Sequence, residues 1–573
     1  MAKALDETHQ ASGRWISIWS WLKRGLSTLP LLVCVGLFLF HLSIIRKYAV
    51  NLPNWDDWAL FAGDNHPASL DLPWLYLQHN EHRTATTKTS VWLEFQLNGW
   101  NIRTHLLIDF IMYGLFLTWL VWFARKMAPH LSAQIVLAFM IFFLSPIIWL
   151  EHFMAYPMGT HFWMFFFFVS AYFLFNEFQK WPSLLIGCLS SILSIYSFAA
   201  GFVTSLILLL AFWTFKALRA YQAKGKKDRT REFLQLFLVT LLVGGALFAW
   251  IIGYQKPPYH PPLTLPYRLA FWRFFLNLIS FGFGIDQLSA LWGVICLTII
   301  LAPICGEVWK RRSSLTNAHW AIFAIVFAIL ADLAAVSIGR AGFGMEFSKT
   351  QEYAEHGMPL MILSVLNWSF FLKDRKILRG VAIGALWIFF FLAFQGNWTF
   401  DIYRTQSAGR LEGVRCVKAY YDQVGDGRCP TIFPTTLDLT PLLEQGKRLN
   451  ASFYREIVAE SRQHPGNVSK AYDYVGAHDT ADCLRIAGWA WNRAQPYKAL
   501  AVDIYDGNAL LATVPAVSLR GDVFMAGYGS GYCGFDLSTP LALKDGRTHT
   551  IRLKFAGTSL DLPNTPKPLI CTP

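Results

Sequence analysis

The chain has few charged residues. Asp, Glu, Lys and Arg make up 15% of its 573 residues, whereas 54% are hydrophobic and 16% are aromatic. A soluble domain carries about 25% charged residues, so this composition disfavours a soluble protein and favours one that resides in lipid. No small-residue cleavage site follows the first apolar run, residues 29–45, and further apolar runs recur long after it. We therefore expect that run to be a retained membrane helix rather than a secretory signal peptide.

The sequence also lacks a Cys-x-x-Cys motif, so a zinc ribbon is not supported. Five of the nine cysteines lie beyond residue 398, namely Cys416, Cys429, Cys483, Cys533 and Cys571. Disulfides form in oxidising compartments, so this distribution indicates an outer location for the end of the chain. The first pair expected is Cys416 with Cys429, and the odd count leaves one thiol free.

A net charge of +13 is typical of nucleic-acid binding only if the bases form a binding surface. Here they cluster in short segments between apolar runs, at 125–126, 216–231, 310–312 and 373–379. This pattern is typical of cytoplasmic membrane loops, so we expect no nucleic-acid partner.

A spanning helix needs about 20 mostly apolar residues. Eleven segments meet this requirement: 28–48, 105–124, 132–150, 162–179, 183–200, 201–218, 233–253, 287–308, 317–338, 357–373 and 379–397. With the basic loops inside, the N-terminus is cytoplasmic and the C-terminal region is extracytoplasmic. The stretch 254–286 is expected to be a long outer loop with an interfacial helix, since Arg268 and Arg273 are costly in lipid.

The composition changes after residue 398. From about 470 the chain alternates apolar and polar residues in short runs, and Asp-Gly pairs at 506–507 and 545–546 are typical hairpin turns. We therefore predict three segments: a transmembrane domain over 1–398 with a first outer loop at about 50–104, a mixed linker over 399–469, and an extracytoplasmic β-sandwich over 470–573.

Two acids, Asp56 and Asp57, open the first outer loop between two tryptophans. A carboxylate at the lipid–water boundary is suited to act as a general base, because partial desolvation raises its pKa. The alternative is a simple helix cap. If the protein holds a divalent metal such as Mg²⁺ or Mn²⁺, these two acids are its expected ligands.

Further polar groups lie on the same predicted face. In the sequence NEHR, Arg83 is suited to hold a phosphate oxygen, and Glu81 and His82 to bind sugar or phosphate, although a solvated polar turn explains the motif equally well. The second outer loop adds Glu151, His152, Tyr156 and His161, which favour a site on this face. Arg340 and Lys349 near a glycine-containing turn, and Arg268, are the other expected phosphate ligands. Asp332 lies inside a span and is expected to have a buried arginine partner.

An acidic pair after the first membrane helix, a long outer loop, many spans and an external C-terminal domain together resemble the GT-C superfamily of membrane glycosyltransferases. The resemblance implies a polyprenyl-phosphate-linked sugar as donor, Asp56 or Asp57 as catalytic base, and outer cations on the lipid phosphate. DDW with NEHR and a later GRAGFG also looks like a group of bacterial membrane glycosyltransferases, which implies a role for Tyr353. That group has an arginine before the tyrosine, whereas Glu352 stands here.

Residues 486–555 are similar to a small β-domain appended to many bacterial glycosyltransferases. The similarity lies in Gly488-Trp489-Ala490, Asp506-Gly507, Arg520-Gly521-Asp522, Gly534-Phe535 and Asp545-Gly546 before His549. Most of these are hairpin and core residues, and Arg520 with Asp522 is expected to be a buried pair.

The leading hypothesis is a membrane glycosyltransferase that moves a sugar from a polyprenyl-phosphate donor to a cell-surface glycan or lipid-linked acceptor on the outer face of the bacterial inner membrane. A single displacement by the acceptor hydroxyl inverts the anomeric centre. The alternatives are a flippase or transporter, or a polymerase or ligase, of lipid-linked glycans. A flippase requires charged residues that face one another within the spans, whereas clustering at the outer edge favours chemistry.

Overall fold

The computed structural model describes residues 28–61, 67–223, 225–311, 314–423, 425, 427–433, 438–463, 474–492, 499–525, 531–558 and 560–572. The predicted cytoplasmic N-terminus and the predicted junction near residue 470 lie outside the described residues. The chain forms two compact units. Met1–Ala49 and Ala62–Tyr403 make up the first, the helical unit, and Val50–Phe61 with Arg404–Pro573 make up the C-terminal unit.

The helical unit is built almost entirely of α-helices. In chain order they are α1 Thr28–Tyr48, α2 Leu72–Tyr76, α3 Ala85–Asn98, α4 Ile102–Met127, α5 Ala133–Phe143, α6 Met158–Phe175, α7 Trp181–Ile195, α8 Ala199–Gln222, α9 Lys226–Val239, α10 Gly245–Ile251, α11 Leu269–Gly282, α12 Ala290–Arg311, α13 Asn317–Arg340, α14 Gln351–Gly357, α15 Pro359–Phe371 and α16 Lys376–Ala393. A π-helical turn, Thr240–Gly244, makes α9 and α10 one continuous helix.

Among the described residues, eight helices are long and apolar enough to cross a membrane. They are α1, α4, α6, α8, the continuous helix Lys226–Ile251, α12, α13 and α16. Helices of this length and composition are the mark of a polytopic membrane protein, as the sequence predicts.

The three other predicted spans correspond to the shorter helices α5, α7 and α15. The 11 residues of α5 rise only about 16 Å, less than the roughly 30 Å of a hydrocarbon core. Pro146 explains the early end, because proline lacks the N–H that continues a helix and here it opens a separate 3-10 turn. The total of eleven spans therefore stays a prediction.

Two helices approach each other closely at a pair of glycines. A Cβ atom on Gly282 of α11 would lie 2.6 Å from the Cα of Gly357 on α14. A Cβ on Gly357 would lie 2.9 Å from the Cα of Gly282. Real Cβ atoms do not approach backbone so closely, so α11 and α14 pack at this distance only because both positions are glycine.

The C-terminal unit joins a short N-terminal segment to later helices. Its helices are α17 Asp401–Tyr421, most of which belongs to this unit, α18 Thr440–Arg448 and α19 Ser452–Gln463. The 3-10 helix Trp55–Phe61 packs its Trp58 ring edge-on against Phe453 of α19. The Trp55 amide donates to the carbonyl of Ile432, between α17 and α18, over 2.8 Å.

Two four-stranded antiparallel sheets form the rest of the C-terminal unit. The strands are β1 Tyr474–Ala481, β2 Arg485–Asn492, β3 Ala501–Asp506, β4 Ala509–Pro515, β5 Ser518–Leu519, β6 Tyr532–Ser538, β7 Thr548–Phe555 and β8 Lys567–Ile570, with the short α20 Gly521–Met525 before β6. The sheet orders are β1-β2-β6-β5 and β4-β3-β7-β8. One core of buried side chains, which includes Ile486 of β2 and Ile504 of β3, comes from both sheets.

The predicted Asp-Gly turns have different outcomes. Asp506-Gly507 joins β3 to β4, and Gly507 has a φ of 55°, which confirms a hairpin. Asp545-Gly546 is a turn before β7, not a link between two paired strands.

Arg520 is not part of a buried pair: Asp522 is 68% exposed, and Arg520 also bonds Asp479.

Disulfides join Cys416 to Cys429, as predicted, and Cys483 to Cys571. Cys533 is a buried free thiol.

Candidate functional site

The NEHR motif forms a tight turn in the helical unit. The backbones of His79 and His82 exchange hydrogen bonds of 2.9 and 2.8 Å, with Asn80 at a φ of 49°. Asparagine tolerates this left-handed conformation better than most residues. The turn directs Glu81 to the end of α13, where its carboxylate accepts a hydrogen bond from the Arg340 guanidinium.

Two histidines complete this group, which we name the Glu81–Arg340 cluster (Glu81, His82, His260 and Arg340). His82 Nε2 lies 3.6 Å from Glu81, and His260 Nε2 lies 3.0 Å from Arg340 Nη1. Burial favours a higher pKa for Glu81, but the charges of His82 and Arg340 outweigh it and lower the pKa. Burial and the Arg340 charge lower the pKa of His260, which suits a neutral ring that accepts from the guanidinium.

Arg83 and Lys349, both predicted phosphate ligands, bond to backbone carbonyls. Arg83 donates to the Trp250 carbonyl over 3.0 Å and to the Ile252 carbonyl over 2.8 Å, at the end of α10. Lys349 Nζ donates to the carbonyls of Asn277 and Ile285 over 3.1 and 2.7 Å, around the end of α11. Burial lowers the pKa of Lys349 to about 8. Both cations thus satisfy carbonyls that a helix end leaves without partners.

Arg268 and Tyr353 are the remaining predicted ligands, and Tyr353 lies close enough to the Glu81–Arg340 cluster for the charges of Arg340 and Glu81 to act on it. Arg268 is exposed immediately before α11. Tyr353 is buried in α14, and burial together with the charge of Glu352 raises its pKa well above the usual value.

The two predicted catalytic acids differ in exposure. Asp56 is exposed, whereas Asp57 is fully buried. Asp57 Oδ2 accepts a 3.0 Å hydrogen bond from the Asn54 amide. Burial lowers the pKa of Arg410 in α17 to about 10, and the charge of Asp57 opposes that effect. Asp57 therefore supports the turn in which it lies.

A metal requirement stays a prediction. The described residues contain no group of three or more His, Cys, Asp or Glu side chains placed to hold a metal ion. One oxygen of Asp57 accepts from a backbone amide, and the assignment of Asp56 and Asp57 as metal ligands stays a prediction as well.

A second polar group lies inside the helical unit, where α4, α6 and α14 meet. His161 Nδ1 of α6 lies 2.6 Å from Asp109 Oδ1 of α4. Its other nitrogen, Nε2, lies 3.3 Å from Glu355 Oε1 of α14. All three side chains are buried, and charged groups this deep persist only when they are paired.

Glu151 and His152 extend this group, which we name the acid–histidine cluster (Asp109, Glu151, His152, His161 and Glu355). The His152 ring lies 5.4 Å from that of His161. Burial, and then the Glu355 charge, raise the pKa of Glu151 well above its usual value. Burial, and then the neighbouring His41, lower the pKa of His152 well below its usual value. In both groups burial thus disfavours the charged form.

Several polar atoms of this cluster have no hydrogen-bond partner among the described residues. They are both ring nitrogens of His152, Oε2 of Glu151, Oδ2 of Asp109 and Oε2 of Glu355. A buried polar atom without a partner costs about 1–3 kcal/mol, so a concentration of such atoms is a frequent property of functional sites.

The acid–histidine contacts lie near one end of the helices. Asp109 is about 10 Å along α4 from its first residue, and His161 is the fourth residue of α6. On α13 the Asp332 carboxylate pairs with His356 over 2.6 Å, about 12 Å before Arg340. The expected arginine partner of Asp332 is thus wrong, and the partner is a histidine.

Sequence reasoning noted Glu151, His152 and His161 but missed Asp109 and Glu355. Asp109 could have been recognised from the sequence, because an acid within an otherwise apolar span is costly in lipid. No sequence feature distinguishes Glu355, since it follows a run of loop and 3-10 residues with many other polar groups.

Comparison of the chain with protein-family models, with curated proteins and with solved structures gives no match.

Proposed function

We propose that the protein is a membrane glycosyltransferase of GT-C type, with about eleven spans. It transfers a sugar from a polyprenyl-phosphate donor to a glycan or lipid-linked acceptor on the outer face of the bacterial inner membrane. The N-terminus is then cytoplasmic, and the C-terminal unit is extracytoplasmic. Eight helices of spanning length and basic residues between them support a multi-pass membrane protein.

The observation that carries the proposal is that the polar groups lie near the ends of the spanning helices. The Glu81–Arg340 cluster lies at the end of α13, and the acid–histidine contacts lie within about two turns of the first residues of α4 and α6. Under the predicted topology these are the outer ends of the helices. Acids, bases and cations near one membrane boundary suit chemistry on a lipid-linked substrate that is reached from that side.

In the proposed reaction the acceptor hydroxyl loses its proton to an outer aspartate as its oxygen attacks the anomeric carbon. The bond between that carbon and the phosphate oxygen breaks, and the lipid phosphate leaves with the electron pair. Asp56 is the better candidate for this base, because it is exposed while Asp57 is buried against the Asn54 amide. General-base catalysis of this kind contributes about 10²–10⁴-fold to a rate.

Cations near the leaving phosphate stabilise its charge. Arg340 is the favoured residue, because it lies at a helix end and its contacts are side chains that a stronger anion can displace. Arg268 is a second candidate because it is exposed. Arg83 and Lys349 are weaker candidates, since their side chains already donate hydrogen bonds to backbone carbonyls.

One observation favours a transporter or flippase of lipid-linked glycan as a second candidate. Asp109, His161 and Glu355 face one another across three helices of the helical unit. Intramembrane acids and histidines are common in proton relays of transporters. A glycan polymerase or ligase also remains consistent with an outer-face site.

Mass analysis of surface glycan and lipid-linked intermediates, with and without the protein, separates these functions. A transferase predicts a glycan that lacks one sugar while the lipid-linked donor of that sugar accumulates on the outer leaflet. A flippase predicts accumulation on the inner leaflet, and a polymerase predicts single repeat units of complete composition. Unchanged glycan and unchanged intermediates would contradict the transferase.

A further inference from the structure

A cavity of about 700 Å³ lies at the start of α9, far from the polar clusters described above. Its lining consists of Trp181, Lys226, Lys227, Asp228, Thr230, Arg231 and Leu234. It lies where α6 gives way to α7, whereas His161 is at the other end of α6. The 18 residues of α6 span about 27 Å, so the cavity and the acid–histidine cluster belong to opposite membrane boundaries.

The cavity lining has a net positive charge, since three cations, Lys226, Lys227 and Arg231, face the single acid Asp228. Lys226, Lys227 and Arg231 are exposed, and Lys226 and Lys227 make no ion pair with the described residues. The nearby Glu232 does not neutralise them, because Lys216 at 2.6 Å and Arg219 at 3.2 Å already pair with it. The amides that begin the 14-residue α9 add positive potential at the same place.

An apolar surface continues directly from the cations along α9. Lys227, Arg231 and Leu234 lie four and three residues apart and so share one face of the helix. Phe237 and Leu241 prolong that face into the apolar part of the helix, and Leu234, Phe237 and Leu241 are 52%, 66% and 58% exposed. Trp181, 41% exposed, borders the cavity at the depth where indole rings settle in a membrane interface.

We propose that Lys226, Lys227 and Arg231 bind the phosphate of an anionic phospholipid such as phosphatidylglycerol, whose acyl chains lie on Leu234, Phe237 and Leu241. A free phosphate ion matches the cations but leaves the apolar face uncovered. A zwitterionic lipid matches the apolar face but carries a choline cation into a positive cavity. Only an anionic lipid matches both surfaces, and basic residues at a membrane boundary attract such lipids. Arg231 is held at the cavity by its hydrogen bond to the Gln179 carbonyl.

Native mass spectrometry of the full chain in mild detergent tests this site. The protein is titrated with phosphatidylglycerol and, separately, with phosphatidylcholine of the same acyl chains. We expect tighter binding of phosphatidylglycerol, with a loss of about fivefold per removed cation and on the order of 100-fold for Lys226→Gln/Lys227→Gln/Arg231→Gln.

The matched control is Lys373→Gln/Arg375→Gln/Lys376→Gln, which removes three exposed cations at the start of α16. It should change binding less than twofold. If the first triple variant does not fold, Lys227→Gln should still lower binding about fivefold, and Lys226→Arg/Lys227→Arg should preserve it. Leu234→Asn should weaken lipid binding although the charge is unchanged.

Three results would overturn the proposal. Equal binding of phosphatidylcholine and phosphatidylglycerol would exclude headgroup recognition. Equal losses in both triple variants would indicate diffuse electrostatic attraction. Complete displacement of lipid by inorganic phosphate, with Leu234→Asn unaffected, would indicate an anion site without lipid. The readout does not use sugar transfer, so it is independent of the proposed function.

Discussion

The carboxylate of Glu81 and the guanidinium of Arg340 form an ion pair although 259 positions separate them in the chain. The pair links the NEHR turn to the end of α13 and keeps both charges partly buried, with side-chain exposures of 23% and 16%. A phosphate that approaches Arg340 must therefore compete with Glu81.

This competition makes Arg340→Gln informative. We expect the variant to raise the KM for the lipid-linked donor more than it lowers kcat, because a phosphate ligand acts in the ground and transition states alike. It should also destabilise the protein by about 1–3 kcal/mol, since Glu81 loses its partner in a partly solvated setting. Thermal unfolding of the double variant Glu81→Gln/Arg340→Gln should recover most of this loss without recovery of KM. Equal losses in kcat and kcat/KM, with KM unchanged, would assign Arg340 a catalytic role.

Arg83 provides the contrasting case. Its contacts are carbonyls at the end of α10, and its guanidinium lies 3.9 Å from the centre of the Tyr76 ring. We expect Arg83→Gln to lower the melting temperature and the amount of folded protein, with an unchanged donor KM for the protein that folds. Arg268→Gln, which changes an exposed arginine, is the stability control. A raised KM in Arg83→Gln at normal stability would restore Arg83 as a phosphate ligand.

The acid pair predicts two different phenotypes. Asp56→Asn should reduce sugar transfer by about 10²–10⁴-fold while the protein inserts and accumulates normally, because the amide cannot take a proton. Asp57→Ala should act on stability, since alanine has no oxygen to accept from the Asn54 amide, whereas Asp57→Asn keeps one. Loss of this buried hydrogen bond costs about 1–3 kcal/mol, measurable by thermal unfolding. A fully active Asp56→Asn enzyme would remove Asp56 as the base.

Glu151 predicts a pH dependence of stability. Burial raises its pKa well above the usual value near 4.5, so the folded protein holds a proton that the unfolded chain has lost. Glu151 contributes fully to the free energy of unfolding below pH 4.5, where the folded and unfolded states are both protonated. Between pH 4.5 and the folded pKa, the free energy of unfolding falls by about 1.4 kcal/mol per pH unit. Glu151→Gln, which keeps the neutral shape, should be more stable than wild type at alkaline pH. Parallel pH curves for the two proteins would contradict a raised pKa.

The predicted topology can be tested with reporter fusions and with thiol reagents. Fusions after residues 220, 312 and 376 should report the cytoplasm, and fusions after 80, 345 and 450 should report the outer compartment. Cys416, Cys429, Cys483 and Cys571 should react with a thiol reagent only after reduction, because all four are paired. Free thiols at these four positions in protein isolated from membranes, or a cytoplasmic report at 450, would place the C-terminal unit on the inner side.

Local features of the fold could be predicted from the sequence, whereas the contacts between distant segments could not. The Asp506-Gly507 turn follows from two residues, because a hairpin of this kind requires positive φ. The grouping of Val50–Phe61 with α18 and α19 depends on contacts such as Asn51 with Glu456, which leave no local signal.

The same distinction applies to the site. The NEHR turn and the buried acid Asp332 could be recognised from residue types alone. Their partners could not, because an arginine and a histidine are both reasonable neighbours of an acid, and only packing decides. Arg340 lies nearest to Asp332 along α13, yet it pairs with Glu81, and Asp332 pairs with His356.

The close approach of Gly282 to Gly357 has a consequence for how the protein tolerates change. Gly357 follows Glu355 by two positions, so the spacing between α11 and α14 also sets where that carboxylate meets His161. A single methyl group at either glycine would push the two helices apart and pull an acid away from its imidazole without altering any ionisable residue. A saturation mutagenesis scan of the protein's activity would then rank Gly282 and Gly357 alongside the acids Asp109 and Glu355. Selection would preserve the absence of a side chain at the two glycines as strictly as it preserves the charged groups.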